Sequence, residues 1–185
     1  MSINNTQVSI YCQGTFDIAN PTAAEQQQML QDAAELANSG FGTVILGQWH
    51  VHPNGDVYYN DTLFTPGSPA LNWSLSTIPA TLKKGARYVL VTFGPFGSDF
   101  DAITANLASF QQTVQYLFDN YNIDGIDFDI EGSYTAKNQQ TLATLTEWAI
   151  SQGKIVTGAP YEEMSWWQGL LTSTKQSGWW NLQVY

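Results

Sequence analysis

The chain has 185 residues, with 16 acidic against 6 basic side chains and a formal net charge of −10 at pH 7. This length predicts a single domain, residues 1–185, that buries a substantial core. The negative charge argues against nucleic acid or an anionic membrane surface as the main partner, because both would be repelled. Aromatic residues make up 14% of the chain, which favours a neutral ligand that stacks on flat rings.

The cysteine content and the N-terminal residues limit the chain further. A single cysteine, Cys12, excludes an internal disulfide and a cysteine-based zinc cluster. No run of 18 apolar residues is present, so no membrane span is expected. Residues 1–14 have neither the basic nor the apolar region of a secretory leader. We therefore expect either an intracellular protein or the mature form of an exported one.

The hydrophobic pattern predicts alternating strands and helices. Six strands are expected, at 7–13, 42–49, 86–93, 123–131, 154–160 and 181–185. Three clear helices are expected at 21–38, 99–120 and 138–152, and weaker ones at 74–84 and 162–178.

The pattern also predicts where these elements begin and break. Asn20 is expected to cap the first helix with Pro21 as its first residue. Pro79 is expected to interrupt the helix at 74–84. Residues 50–72 are expected to form a long loop. Strands that alternate with helices predict a parallel sheet, either doubly wound or closed as a (β/α) barrel.

The most informative segment is the fourth predicted strand. Its side chains alternate between an apolar and an acidic face, the acidic face carrying Asp127, Asp129 and Glu131. Same-face neighbours lie about 7 Å apart, close enough to raise the pKa of at least one carboxyl group. A solvated edge strand is the plain alternative. A calcium loop is disfavoured, because the glycine and glutamate that the EF-hand pattern requires are missing. Acid–base chemistry at the C-terminal end of a barrel strand is the favoured interpretation.

This segment resembles the Asp-x-x-Asp-x-Asp-x-Glu signature of the family 18 glycoside hydrolases, the chitinases. All four acidic positions match in Asp-Gly-Ile-Asp-Phe-Asp-Ile-Glu at 124–131. The sequence of this segment is similar to that of the plant class III, hevamine-like branch. The segments 10–14, 157–160 and 182–185 resemble the first, fifth and sixth strands of that branch. Residues 91–95 resemble the third, with threonine in place of the family's serine and Pro95 in place of its second glycine.

The resemblance implies a (β/α)8 TIM barrel and a role for each matched residue. Glu131 would be the general acid, Asp129 would orient the substrate's acetamido group, and Asp127 would support Asp129. Tyr185 would donate a hydrogen bond to the acetamido oxygen. The resemblance also implies substrate contacts at Tyr11, Gly94, Gln183 and Asp124, with no metal and no cofactor.

The implied function is retaining hydrolysis of β-1,4-linked N-acetylglucosamine polymers, in which the substrate's own acetamido group is the nucleophile. An endo-β-N-acetylglucosaminidase acting on N-glycans shares the strand motif and remains an alternative. A non-catalytic sugar-binding or inhibitor protein on the same scaffold is a second, although Glu131 favours an enzyme. A doubly wound phosphate-binding domain lacks support, because no glycine-rich loop follows the first strand.

Two further features carry expectations of their own. His50 and His52, with Asp56 nearby, have a spacing that could ligate a metal, but ordinary loop histidines are the favoured interpretation. The resemblance covers only strands one to six of eight. Strands one and six would then be open edges, prone to self-association. A truncated form or completion by a partner is favoured over an inactive remnant.

Overall fold

The protein is described by a computed structural model that covers residues 8–173 and 178–183. This part of the chain contains seven strands: β1 Ser9–Gln13, β2 Thr43–Val51, β3 Val57–Tyr59, β4 Thr62–Phe64, β5 Tyr88–Phe93, β6 Gly125–Phe128 and β7 Ile155–Gly158. It also contains six helices: α1 Ala23–Asn38, α2 Asn72–Leu82, α3 Asp99–Ala105, α4 Leu107–Asn120, α5 Ala136–Ser151 and α6 Met164–Ser173. None of these helices combines the length and the apolar character that a membrane crossing needs.

The order of the parallel strands distinguishes the two predicted architectures. Strands β1, β2, β5, β6 and β7 lie side by side in chain order, and each pairs in parallel with the next. A doubly wound sheet reverses its strand order at a switch point, whereas a barrel adds each strand next to the previous one. The fold is therefore the barrel type, with its first five strands formed.

The predicted sixth strand is present as an extended segment. A bridge joins Trp180 to Gly158, and the amide of Asn181 donates to the carbonyl of Gly158 at 2.8 Å. The amide of Gln183 donates to the carbonyl of Pro160 at 3.2 Å. Residues 178–183 thus run alongside β7, as a sixth barrel strand would. The end of the predicted strand, 184–185, lies outside the described residues.

The prediction that residues 50–72 form a long loop is wrong in part. Strand β2 continues to Val51, and β3 and β4 form an antiparallel hairpin that pairs with the end of β2. The hairpin turns on Asn60 and Asp61, and Asn60 has a φ of 47°. Asparagine tolerates this left-handed conformation, which two-residue hairpin turns require. The run Val-Tyr-Tyr-Asn-Asp-Thr-Leu-Phe carries that signal, but the Pro and Gly around it favoured a loop.

The first helix begins later than predicted. Its N-cap is Thr22 rather than Asn20, because Thr22 and Glu25 form a reciprocal capping box. The amide of Glu25 donates to Thr22 Oγ1 at 3.4 Å, and Glu25 Oε2 accepts from the amide of Thr22 at 2.7 Å. Two of the unpaired amides at the helix start are thereby satisfied. Pro21 lies just outside the helix.

Two other helix predictions need correction. The predicted helix at 99–120 divides at Asn106, whose side chain donates to the carbonyl of Ala102 at 2.9 Å. Such side-chain bonds compete with the regular helix pattern. Helix α2, by contrast, continues through Pro79. This proline is buried alongside Leu75 and Ile78, and that packing offsets the missing amide hydrogen bond.

Alternation along the strands separates the core from the barrel interior. On β6, Ile126 and Phe128 are fully buried on the helix side, where Phe128 packs edge-on against Phe100 of α3 at 5.9 Å between ring centres. Asp127 points to the other side. The strand register therefore places a polar row inside the barrel, beneath the C-terminal ends of the strands.

Candidate active site

The centre of the site is Asp127, which is fully buried. The strand register aligns it with Thr92 on β5 and Thr157 on β7. Thr92 Oγ1 donates to Asp127 Oδ2 at 2.8 Å, and Thr157 Oγ1 donates to Asp127 Oδ1 at 2.5 Å. Each neighbouring strand thus supplies one hydroxyl group to the carboxyl group between them.

Two more donors reach Asp127 from distant parts of the chain. Tyr11 Oη on β1 donates at 3.0 Å, and Asn181 Nδ2 donates at 3.2 Å. Burial raises the pKa of Asp127, although its four hydrogen bonds act in the opposite direction. The pKa of Tyr11 lies well above its ordinary value because of burial and the neighbouring Asp127 carboxylate. The Tyr11 hydroxyl therefore remains a donor at any ordinary pH.

Asp129 follows on the same side, just beyond the end of β6. It is 7% exposed, and Gln183 Nε2 donates to its Oδ1 at 2.6 Å. Burial raises the pKa of Asp129 to about 7, and the charges of Asp127 and Glu131 add to this shift. Asp129 can therefore gain or lose a proton near neutral pH. The expected pKa rise within the acidic strand is found here.

Glu131 is the exposed member of the three. Its carboxylate accepts no hydrogen bond from any residue that the structure describes, and it faces a cleft of about 270 Å³. The cleft is lined by Tyr11, Gln48, Asp129, Glu131, Ala159 and Gln183. The three carboxyl groups thus range from Asp127, which is buried and has four hydrogen-bond partners, to Glu131, which is accessible. Such an accessible carboxyl group is suited to exchanging a proton with a bound molecule.

The structure brings together most of the residues that the resemblance assigned to the site. Asp127, Asp129 and Glu131 lie along one line, with Tyr11 and Gln183 beside them. The assignment of Tyr185 lies outside the described residues.

Gly94 has a different position from the one expected. It is buried, with a φ of +98°, and a Cβ built on it would lie 3.5 Å from the carbonyl oxygen of Asp129 and 3.4 Å from Ile130. Gly94 therefore supports the backbone under Asp129, and it is not among the residues that line the cleft.

Asp124 does not belong to the cleft, which corrects the predicted substrate contact. It precedes β6, so about 16 Å of extended chain separates it from Asp129 at the other end. Lys83 Nζ donates to its two carboxylate oxygens at 2.8 and 2.9 Å, and the amide of Val89 donates to Oδ2 at 2.7 Å. Asp124 therefore joins β5 and β6 at the base of the barrel.

Replacing Asp124 with alanine is expected to cost about 2 kcal/mol of folding stability, because the buried Val89 amide loses its acceptor. Lys83→Met removes the ion pair and the hydrogen bond from Lys83 Nζ to the carbonyl of Arg87 but keeps the Val89 bond, and it should cost less than about 1 kcal/mol. Urea unfolding of both variants measures the difference. Equal losses would show that the Val89 bond contributes nothing.

Five residues of the site were not predicted. Thr92, Thr157 and Asn181 hold Asp127, and Gln48 and Ala159 line the cleft. Thr157 could have been found from strand register, since it occupies the row of Asp127 on the next strand. Asn181 and Gln48 carry no local signal, because their positions depend on how the barrel closes.

The histidines at the end of β2 have other partners than a metal. His50 Nδ1 lies 3.2 Å from Asp99 Oδ2, and the His52 ring stacks on Tyr58 at 4.2 Å. Asp56 Oδ2 accepts from Asn54 at 2.8 Å. Among residues 8–173 and 178–183, no three His, Cys, Asp or Glu side chains are grouped as metal ligands.

Similarity to known proteins is found at the level of structure. Neither a protein-family model nor a curated protein sequence matches the chain. The chitinase ChiC from Aspergillus fumigatus matches with a TM-score of 0.64 and 19% identity, over 97% of this chain and 66% of that one. The fold is a (β/α) barrel like that of ChiC.

A GH18 chitinase from Cycas revoluta also matches, in complexes with (GlcNAc)3 and with allosamidin. The TM-score is 0.53 in both cases, with 17% and 18% identity, over 83% of this chain and 49% of that one. The chain thus spans about half to two thirds of the length of these chitinases. At these identities the similarity establishes the fold.

Proposed function

We propose that the chain is a family 18 glycoside hydrolase that cleaves β-1,4-linked N-acetylglucosamine polymers with retention of configuration. One observation carries the proposal. Asp127, Asp129 and Glu131 lie in a row that ends in a cleft at the C-terminal end of a barrel strand, and Glu131 is its accessible member. Barrel enzymes carry their catalytic groups at this end.

The geometry supports a separate role for each of the three carboxyl groups. Glu131 donates a proton to the glycosidic oxygen while the acetamido oxygen of the substrate attacks the anomeric carbon. Asp129 holds the acetamido N–H and stabilises the positive charge that develops on this group. Asp127, fixed by its four donors, lies beneath Asp129, and its charge adds to the effect of burial in raising the pKa of Asp129. Water then opens the cyclic intermediate and returns the proton to Glu131.

Several observations support this substrate and this branch of the family. The structure of the Cycas revoluta chitinase of similar fold was solved in complex with (GlcNAc)3. The sequence at 124–131 resembles that of the hevamine-like branch. Glu131 supports hydrolysis over sugar binding alone. Tyr185 completes the proposal as the hydroxyl donor to the acetamido oxygen, by resemblance alone.

The stereochemistry of the product tests the proposal. Incubation with an N-acetylglucosamine hexamer should give oligomers whose new reducing ends begin as the β anomer, as followed by proton NMR. An inverting two-carboxylate mechanism would give the α anomer instead. A glucose hexamer of the same linkage is the matched control, and it should remain intact because it lacks the acetamido nucleophile. Cleavage of both hexamers would contradict the mechanism.

A further inference from the structure

A second cavity of about 530 Å³ opens beside the cleft, and we refer to it as the side pocket. It lies where β1 and β2 end and where the β3–β4 hairpin folds over, and its lining includes Gln48, Asp17, Asp61, Asp99, Tyr58 and Phe96. Gln48 also lines the cleft. Because the two cavities share this side chain, they adjoin each other at Gln48.

Aromatic rings form a wall of the side pocket. His50 lies near the end of β2 and His52 directly follows the strand, so these two side chains, two positions apart, project to one side. The His50 ring stacks on Phe96 at 4.5 Å and 25°, and the His52 ring stacks on Tyr58 at 4.2 Å and 23°. Phe96 remains 58% exposed. Exposed ring faces bind both the apolar face of a sugar and a cationic group.

The charged lining of the side pocket has one sign when the histidines are neutral. Asp17, Asp61 and Asp99 line it, and no described Lys or Arg does. Asn60 Nδ2 donates to Asp17 Oδ2 at 2.7 Å, and Asp99 Oδ2 contacts His50. The second oxygen of each of these two carboxyl groups accepts no hydrogen bond from a described residue. The side pocket therefore offers acceptors and negative potential to a cation.

We propose that the side pocket binds a glucosamine unit with a free, protonated amine, so that the substrate is a partly N-deacetylated polymer. This inference rests on the proposed function for the chemistry in the cleft. Only the reacting unit needs its acetamido group, because only that group attacks the anomeric carbon. A unit in the side pocket takes no part in bond cleavage. An ammonium group there can therefore interact with the carboxylates and the ring faces without impairing the reaction.

Binding measurements by titration calorimetry near pH 7, where an ordinary imidazole is largely neutral, test the proposal. The probes are a glucosamine tetramer and an N-acetylglucosamine tetramer, both titrated into the Glu131→Gln chain so that neither is cleaved. Asp17→Asn with Asp61→Asn, added to that chain, should weaken binding of the glucosamine tetramer about tenfold. The affinity for the acetylated tetramer should fall much less. Asp119→Asn, at an exposed position of α4, is the matched control and should change neither affinity.

Ionic strength gives an independent readout. Raising the salt from about 50 mM to about 500 mM should weaken binding of the glucosamine tetramer more than that of the acetylated one. Equal affinity of the two tetramers in both backgrounds, or no binding of the glucosamine tetramer, would overturn the inference. Hydrolysis of the acetylated hexamer that persists alongside such a result would leave the proposed function standing. Amine binding without any hydrolysis would overturn the proposed function alone.

Discussion

Replacing Glu131 with glutamine is expected to lower kcat on an N-acetylglucosamine hexamer by about 10³-fold, because an amide cannot donate the proton that the leaving oxygen needs. KM should change little, since glutamine preserves the shape of the cleft wall. Folding should also be unaffected, because the Glu131 side chain is exposed and accepts no hydrogen bond from the described residues. Product release measured by chromatography gives both constants.

The leaving group sharpens this test. A nitrophenyl glycoside releases nitrophenolate, a stable anion that needs little protonation as it leaves, so Glu131→Gln should impair its cleavage far less than that of the hexamer. Glu147→Gln, on the exposed face of α5, is the matched control and should behave like the parent chain. An equal loss on both substrates would assign Glu131 a role other than proton donor.

Asp129→Asn is expected to stabilise the folded chain near neutral pH while lowering activity about 10²-fold. The pKa of Asp129 is raised to about 7 in the folded chain, against an ordinary value near 4 when unfolded. Between these values the unfolded chain loses its proton first, so folding stability falls as pH rises from about 4 to about 7. The asparagine variant lacks this loss. Its free energy of unfolding should exceed that of the parent chain by about 2–4 kcal/mol above pH 7.

The pH dependence separates this cause from a general packing effect. The stability difference between the parent and Asp129→Asn, measured by urea unfolding, should vanish below about pH 4 and grow toward neutral pH. Asparagine still offers Oδ1 to Gln183, so that hydrogen bond is retained. Asp119→Asn should show no comparable change. A difference that is constant with pH, or a destabilised variant, would contradict the linkage.

The acidic strand could be predicted because its information is local. A period of two places Asp127, Asp129 and Glu131 on one side of β6, whatever the rest of the fold does. Recurring apolar and β-branched runs predicted the positions of the five parallel strands, whereas only the observed strand order distinguished the barrel from a doubly wound sheet. The barrel interior was thus predictable to the level of one row of side chains.

Other parts of the site depend on contacts that the sequence does not display. Asp124 belongs to the signature by spacing, yet it lies at the opposite end of the strand with Lys83, a residue 41 positions away. The β3–β4 hairpin was missed because glycine and proline nearby indicate a loop as strongly as Asn-Asp indicates a turn. The side pocket could not be predicted, since the hairpin forms part of its lining.

The four donors to Asp127 also bear on how the chain folds. They come from residues 116, 35, 30 and 54 positions away along the chain. Contacts of such separation form only after long stretches of chain have closed into loops, which makes them slow to assemble. A folding intermediate that contains β5, β6 and β7 alone would leave Asp127 open to water on two sides. Catalytic competence should therefore emerge last in refolding, later than helical structure, as the first strand and residues 178–183 reach the same carboxyl group.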